Sequence, residues 1–142
     1  MKDMQPIWNN EKHEYYLDIP IENQTFHMAF QETHWTPDSV YFNIYMTLYT
    51  KRKHINKNEE LIKSTGLNPL QTIVVARKCF EILEKIILNE FDYLNIVITC
   101  DWLDKQRREI YHKFLSKKGY RYGLHPFYKN KCLIKIQRRE KI

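Results

Sequence analysis

Apolar and polar residues alternate from Glu14 to Ile21, which puts Tyr15, Leu17, Ile19 and Ile21 on one face. A period of two predicts a strand with one buried side. After the polar Glu22-Asn23-Gln24 the alternation resumes over residues 25–31, with Phe26, Met28 and Phe30 in line, so the two runs predict an antiparallel hairpin. Pro37-Asp38-Ser39 is a turn signal. Beyond it, residues 40–50 set Phe42, Ile44, Met46 and Leu48 against Tyr41, Asn43, Tyr45, Thr47 and Tyr49. That pattern fits a central strand with one dry face and one partly covered face. Residues 1–13 lack such a period and read as a lead-in whose Ile7 and Trp8 dock on the body.

The period then changes. Asn68 is a candidate N-cap and Pro69 a first helical residue. From there to about Asn89 the apolar Ile73, Val75, Ala76, Cys79, Phe80, Ile82, Leu83, Ile86 and Ile87 leave Arg77, Lys78, Glu81, Glu84 and Lys85 as one polar stripe. Such breadth predicts a helix wedged between a sheet and another element. Residues 91–100 (FDYLNIVITC) have the hydrophobicity of an interior strand parallel to its predecessor, joined to it by a right-handed crossover. A second helix is expected over 104–118, capped by Asp104, buried along Arg107 (its stem), Ile110, Tyr111, Phe114 and Leu115, and stopped by Gly119. Residues 131–137 form the clear last strand before a basic tail, 138–142, and an uncovered edge there would offer a route to a homodimer as an alternative to a monomer. The fold class is α+β in the order β-β-β-α-β-α-β: one domain, 1–142, with a mostly antiparallel sheet, one parallel pair and two principal helices.

Composition adds boundaries to this picture. At 142 residues with 43% hydrophobic content the chain suits one cored domain, and the formal charge of +6 leaves phosphates, acidic proteins or anionic cofactors as partners, beside a plain role in solubility. Residues 51–60 are the most polar, with Lys51, Arg52, Lys53, His54 and Lys57 available to an anion or to solvent. No apolar run suits a membrane span and residues 1–10 lack a signal-peptide core, so a cytoplasmic protein is expected. Cys79, Cys100 and Cys132 stand far apart and read as reduced, buried thiols. The six histidines are scattered, and no zinc spacing, nucleophile elbow, Walker loop or dinucleotide fingerprint is present.

The element order, with a second helix that ends in Lys117-Lys118-Gly119-Tyr120-Arg121-Tyr122, resembles the GNAT N-acetyltransferase superfamily. In that family the strand before the first core helix splays from the next, leaving a slot for the pantetheine arm of acetyl-CoA, and the pyrophosphate sits on amides at the helix entrance. The corresponding loop here is Lys63-Ser64-Thr65-Gly66-Leu67-Asn68, with one glycine and Pro69 following. The resemblance implies that Lys63, Thr65, Gly66, Leu67, Asn68 and Leu70 hold acetyl-CoA, the amides of 66–70 cradling pyrophosphate with help from Lys63 or Arg108. The family pattern Asn-x-x-Ala-x-x-x-Tyr aligns with Asp104, Arg107 and Tyr111, with Asp104 in place of the asparagine and Arg107 in place of the alanine, and the resemblance implies Tyr111 as the general acid for the departing thiolate. The bland reading of Tyr111 is a core aromatic. Thr65-Gly66 and Arg107-Arg108-Glu109-Ile110-Tyr111 are also similar to small phage-encoded proteins of GNAT-like type, over roughly Tyr15 to Tyr122. What the resemblance implies is a divergent acyl-CoA-dependent N-acyltransferase acting on an amine of a small molecule or protein. The alternative is a non-enzymatic protein that uses the same fold to bind a host protein or nucleic acid.

Two further constellations are open on the sequence. Glu14, Asp18, His27 or Glu32 could act as the base for an amine, and nothing in the sequence chooses among them. Arg107, Arg108, Lys113, Lys117, Lys118 and Arg121, interleaved with Tyr120 and Tyr122, have the composition of a nucleic-acid surface, or of a solvated helix face. Asp101, Asp104 and Glu109 read as helix-start acids.

Overall fold

Strand β2 (Glu14–Ile21) and strand β3 (Gln24–Trp35) form the expected hairpin, in the register that pairs Leu17 with Met28 and Asp18 with His27. The structure is a computed structural model that describes residues 4–21, 24–50, 53–54, 69–102 and 105–139. Among these residues, β1 (Ile7–Asn9) precedes the hairpin, and β4 (Ser39–Thr50), β5 (Lys53–His54), α1 (Pro69–Glu90), β6 (Asn95–Cys100), α2 (Lys105–Leu115), β7 (Arg121–Leu124) and β8 (Lys131–Arg138) follow it. The strand order is β1-β2-β3-β4-β6-β8-β7, with β5 against β4. The fold is α+β with a mostly antiparallel sheet, and its parallel pair is β4 with β6. No helix among the described residues is long and apolar enough to cross a membrane.

Contacts gather into two units, Met1–Gln31 with Tyr45–Ile87, and Glu32–Ile44 with Leu88–Ile142. In the first, the lead-in proves to hold a strand, because Ile7–Asn9 pairs antiparallel with Glu14–Tyr16. Three residues are too few to show a period, so the pattern had no way to reveal it. The Asn9 carboxamide oxygen accepts the backbone N–H groups of Glu11 and Lys12 at 3.0 and 3.2 Å, which starts the turn, and His13 closes it at φ 54°. Leu17, Ile19, Ile21, Phe26, Met28 and Phe30 are buried as the alternation requires. They share the unit with the buried Val75, Ala76, Cys79, Phe80, Leu83 and Ile87 of α1, and the Phe30 and Phe80 rings lie 5.8 Å apart. Each valine, leucine, isoleucine, methionine or phenylalanine among them contributes roughly 1.5–3 kcal/mol of burial. The fully buried arc of α1 is narrower than its apolar residues suggest: Ile73, Ile82 and Ile86 are half-buried and Val74 is exposed.

In the second unit, Ser39–Asn43 of β4 pairs parallel with Asn95–Thr99, and β6 pairs antiparallel with β8. Ile96 to Cys100 are all buried, the two-sided burial expected of an interior strand. That strand starts at Asn95 rather than at Phe91, whose ring instead packs edge-on against Phe42 at 4.8 Å. Arg139, assigned to the tail by its charge, donates to the Leu88 carbonyl near the end of α1 and pairs with Asp92 at 3.0 Å. The expected edge at 131–137 is corrected as well: β8 lies between β6 and β7, and the outer strands of the order are β1 and β7. β7 is only four residues long and its side chains are mostly exposed, so its pattern lacks the apolar alternation that marks a strand.

Candidate functional site

The C-terminal end of β6 leads through Asp101 and Trp102 to α2, and the β7–β8 hairpin returns beside it. On α2 the helical period turns Tyr111, Phe114 and Leu115 inward and leaves Arg108 and His112, one turn apart, on a flanking stripe. A 3-10 turn, Ser116–Lys118, ends the helix, and Gly119 at φ 95° takes the left-handed position that reverses the chain into β7. Tyr122 and Leu124 of β7 therefore share a strand face opposite that stripe.

The result is a cleft of about 550 Å³ lined by Trp102, Arg108, Tyr122, Gly123, Leu124 and Lys131. Its wall is aromatic. Tyr122 stacks on His112 with centroids 4.5 Å apart and planes 10° from parallel, and meets Trp102 edge-on at 5.7 Å and 87°. Among the described residues of the lining, Arg108 and Lys131 are charged and none is a carboxylate. The Nε of Arg108 is buried and has no hydrogen-bond partner among the described residues. A buried donor left in that state marks a place where a ligand acceptor would be favoured.

The far end of the hairpin is held rigidly. His125 donates its backbone N–H to Asn130 at 2.8 Å and accepts that of Lys129 at 3.0 Å, with Lys129 at φ 61°. The buried His125 ring accepts the N–H groups of Phe127 and Tyr128 on Nδ1, both at 3.1 Å. Burial lowers the pKa of His125, and nearby His34 lowers it further against an opposing pull from Asp101. Phe127 in turn stacks on His34 at 4.0 Å and meets Tyr41 edge-on at 4.8 Å. The loop thus fixes the Leu124–Lys131 pair at the mouth of the cleft.

A second constellation lies across β2 and β3 in the first unit. His27 Nδ1 is 2.6 Å from the Asp18 carboxylate, its Nε2 is 3.9 Å from that of the buried Glu14, and its ring lies over Tyr16 at 5.4 Å. Three of the four residues considered as bases are therefore neighbours, since strand pairing sets Asp18 opposite His27 and the pleat returns Glu14 to the same face. Glu32 lies further along β3, past the last pair with β2. No group of three or more His, Cys, Asp or Glu among the described residues is placed to hold a metal.

Of the residues that the resemblance assigns to acetyl-CoA, Lys63, Thr65, Gly66, Leu67 and Asn68 lie outside the described residues, as does Asp104. Leu70 stands in the first turn of α1. Arg108 lines the cleft, and Tyr111, three residues on, is 2% exposed in the core. Tyr120, expected on a basic aromatic surface, is 1% exposed with the Lys135 ammonium 5.7 Å from its ring centre, so it presents no face to a base. Tyr122 is half exposed, and Lys113, Lys117 and Arg121 are exposed. Trp102, His112 and Lys131 were not singled out from the sequence, because only the tertiary approach of α2 to the hairpin makes them neighbours. No family model, no curated protein and no solved structure matches this chain.

Proposed function

We propose that the chain is a divergent acyl-CoA-dependent N-acyltransferase of the GNAT type, transferring an acetyl group to an amine. The observation that supports this most is the parallel pair β4–β6, the one such pair among the described residues, with α1 between its strands in the sequence. Its pairing stops at Asn43 and Thr99, while β4 runs on to Thr50 and β6 ends at Cys100. A parallel pair whose first strand runs on past the end of the second, in the order strand, helix, strand, is what the resemblance leads one to expect of an acyl-CoA fold. Acetyl-CoA would supply the activated acyl carbon. Arg108, with an unsatisfied buried donor, fits contact with an anionic or carbonyl group of that donor. Tyr111, on the same helix and turned into the core, is the candidate proton source for the thiolate. The amides of 66–70 would take the pyrophosphate.

Calorimetric titration of the full chain with acetyl-CoA tests the reading. Saturable binding is expected, weakened in Arg108→Ala, with Tyr111→Phe keeping affinity while acetyl transfer to an amine slows. Absence of heat at millimolar acetyl-CoA would overturn it.

A further inference from the structure

The cleft between α2 and the β7–β8 hairpin has properties that acyl transfer does not require. Among its described residues it combines an aromatic wall, Trp102 with Tyr122, with the cations Arg108 and Lys131 and no acid. Tyr122 has one neighbour in parallel stacking, His112, yet half of its surface stays open to solvent. Leaving an aromatic ring so exposed on an outer strand forgoes burial, a loss that a ligand ring would recover. Arg108 brings a guanidinium whose Nε is buried and unsatisfied, so an acceptor arriving there would relieve a desolvated donor. The volume, about 550 Å³, lies within the range of small-molecule sites, roughly 300–1,000 Å³.

We propose that this cleft is a binding site for a small planar aromatic anion, its ring against Tyr122 and Trp102 and its acid group paired with Arg108 and Lys131. The chemistry required is a flat π-face joined to a phosphate or carboxylate. The rings supply stacking that tolerates many ring types, and the cations supply the charge selection. The site shares Arg108 with the acyl-transfer reading but does not rest on it, because it needs no thioester.

The test uses the full chain at low ionic strength and two probes, adenosine 5′-monophosphate and indole-3-acetate, which share a planar ring and differ in the acid group. Adenosine and inorganic phosphate serve as the separated halves. Saturable calorimetric binding of at least one probe is expected, tighter than that of either half. Tyr122→Ala and Arg108→Gln should each weaken binding by about tenfold or more, and Tyr122→Phe should restore it. Circular dichroism and thermal melting establish that the variants fold, which the exposed position of Tyr122 favours. Binding of neither probe, or binding indifferent to Tyr122→Ala, would overturn the proposal. Displacement of the probe by pantetheine, the thiol arm of coenzyme A without its ring or phosphates, would assign the cleft to the acyl donor and also overturn it. A thymidine oligonucleotide that binds far more tightly through the same residues would replace the small anion with a nucleic-acid strand.

Discussion

His125 and Tyr128 are joined twice: their rings stack at 4.5 Å and 26°, and the Tyr128 N–H donates to His125 Nδ1 at 3.1 Å. Because the Phe127 N–H donates to the same nitrogen, Nδ1 carries a lone pair and the imidazole is neutral with its proton on Nε2. Protonation would remove both bonds. The folded-state pKa is lowered from 6.5, chiefly by burial and secondarily by His34. The unfolded chain therefore binds the proton first, and stability is fully present above about 6.5 and lost as pH falls through the lowered folded value. Urea unfolding at a series of pH values should show this loss in the wild type and a shallower one in His125→Ala, itself less stable at neutral pH by about 1–3 kcal/mol.

The hydroxyl of Thr99 donates to Asn43 Oδ1 at 2.9 Å, with the Phe42 carbonyl also within reach at 3.3 Å, where the parallel pairing of β4 and β6 ends. Thr99→Val preserves shape and removes the donor from a buried position, so a loss of about 1 kcal/mol is expected. A double-mutant cycle with Asn43→Ala should return a coupling of similar size; purely additive losses would mean that the bond does not contribute.

Gly119 occupies the left-handed region at φ 95°. A Cβ there would meet Lys135 Cε at 3.5 Å, an ordinary contact, so the cost of Gly119→Ala is conformational and about 1 kcal/mol. Gly119→Asn should cost less, because asparagine tolerates this region. Equal melting temperatures for all three proteins would contradict this account.

The three cysteines are free and buried. Burial pushes Cys79 to about 12 and Cys132 to about 11, with negative neighbours Asp18 and Asp101 adding to the respective shifts, and Cys100 rises further. Native protein at pH 8 should resist thiol reagents that titrate all three residues in denaturant. The same shifts act on stability. The folded state keeps protons that the unfolded chain releases from 9.0 upward, so stability falls as pH rises above that value.

Strand and helix types were legible wherever a period ran long enough to be distinctive, as in β2, β4, α1 and α2. The α+β class follows from them. The short strands β1, β5 and β7 were not legible: two to four residues carry no period, and their pairing depends on neighbours distant in sequence. The candidate site was legible in part. Arg108 and Tyr122 stood in a basic, aromatic stretch, whereas Tyr120, of the same composition, is core. Composition cannot separate the two tyrosines: Tyr120 lies between the Gly119 turn and β7, its N–H bonded to the Leu115 carbonyl and its ring in the core, whereas Tyr122 lies within β7 and lines the cleft.

The amino-acid sequence by itself determined the local periods, the glycine stop and the burial of the cysteines, because these depend on residues close along the chain. The tertiary structure alone decided that β8 is interior and β7 outermost, that Arg139 holds the end of α1, and that Trp102, Arg108, Tyr122 and Lys131 share a cleft. Those outcomes rest on which distant surfaces meet, and hydrophobic burial, being non-directional, leaves that choice to the packing of the whole sheet.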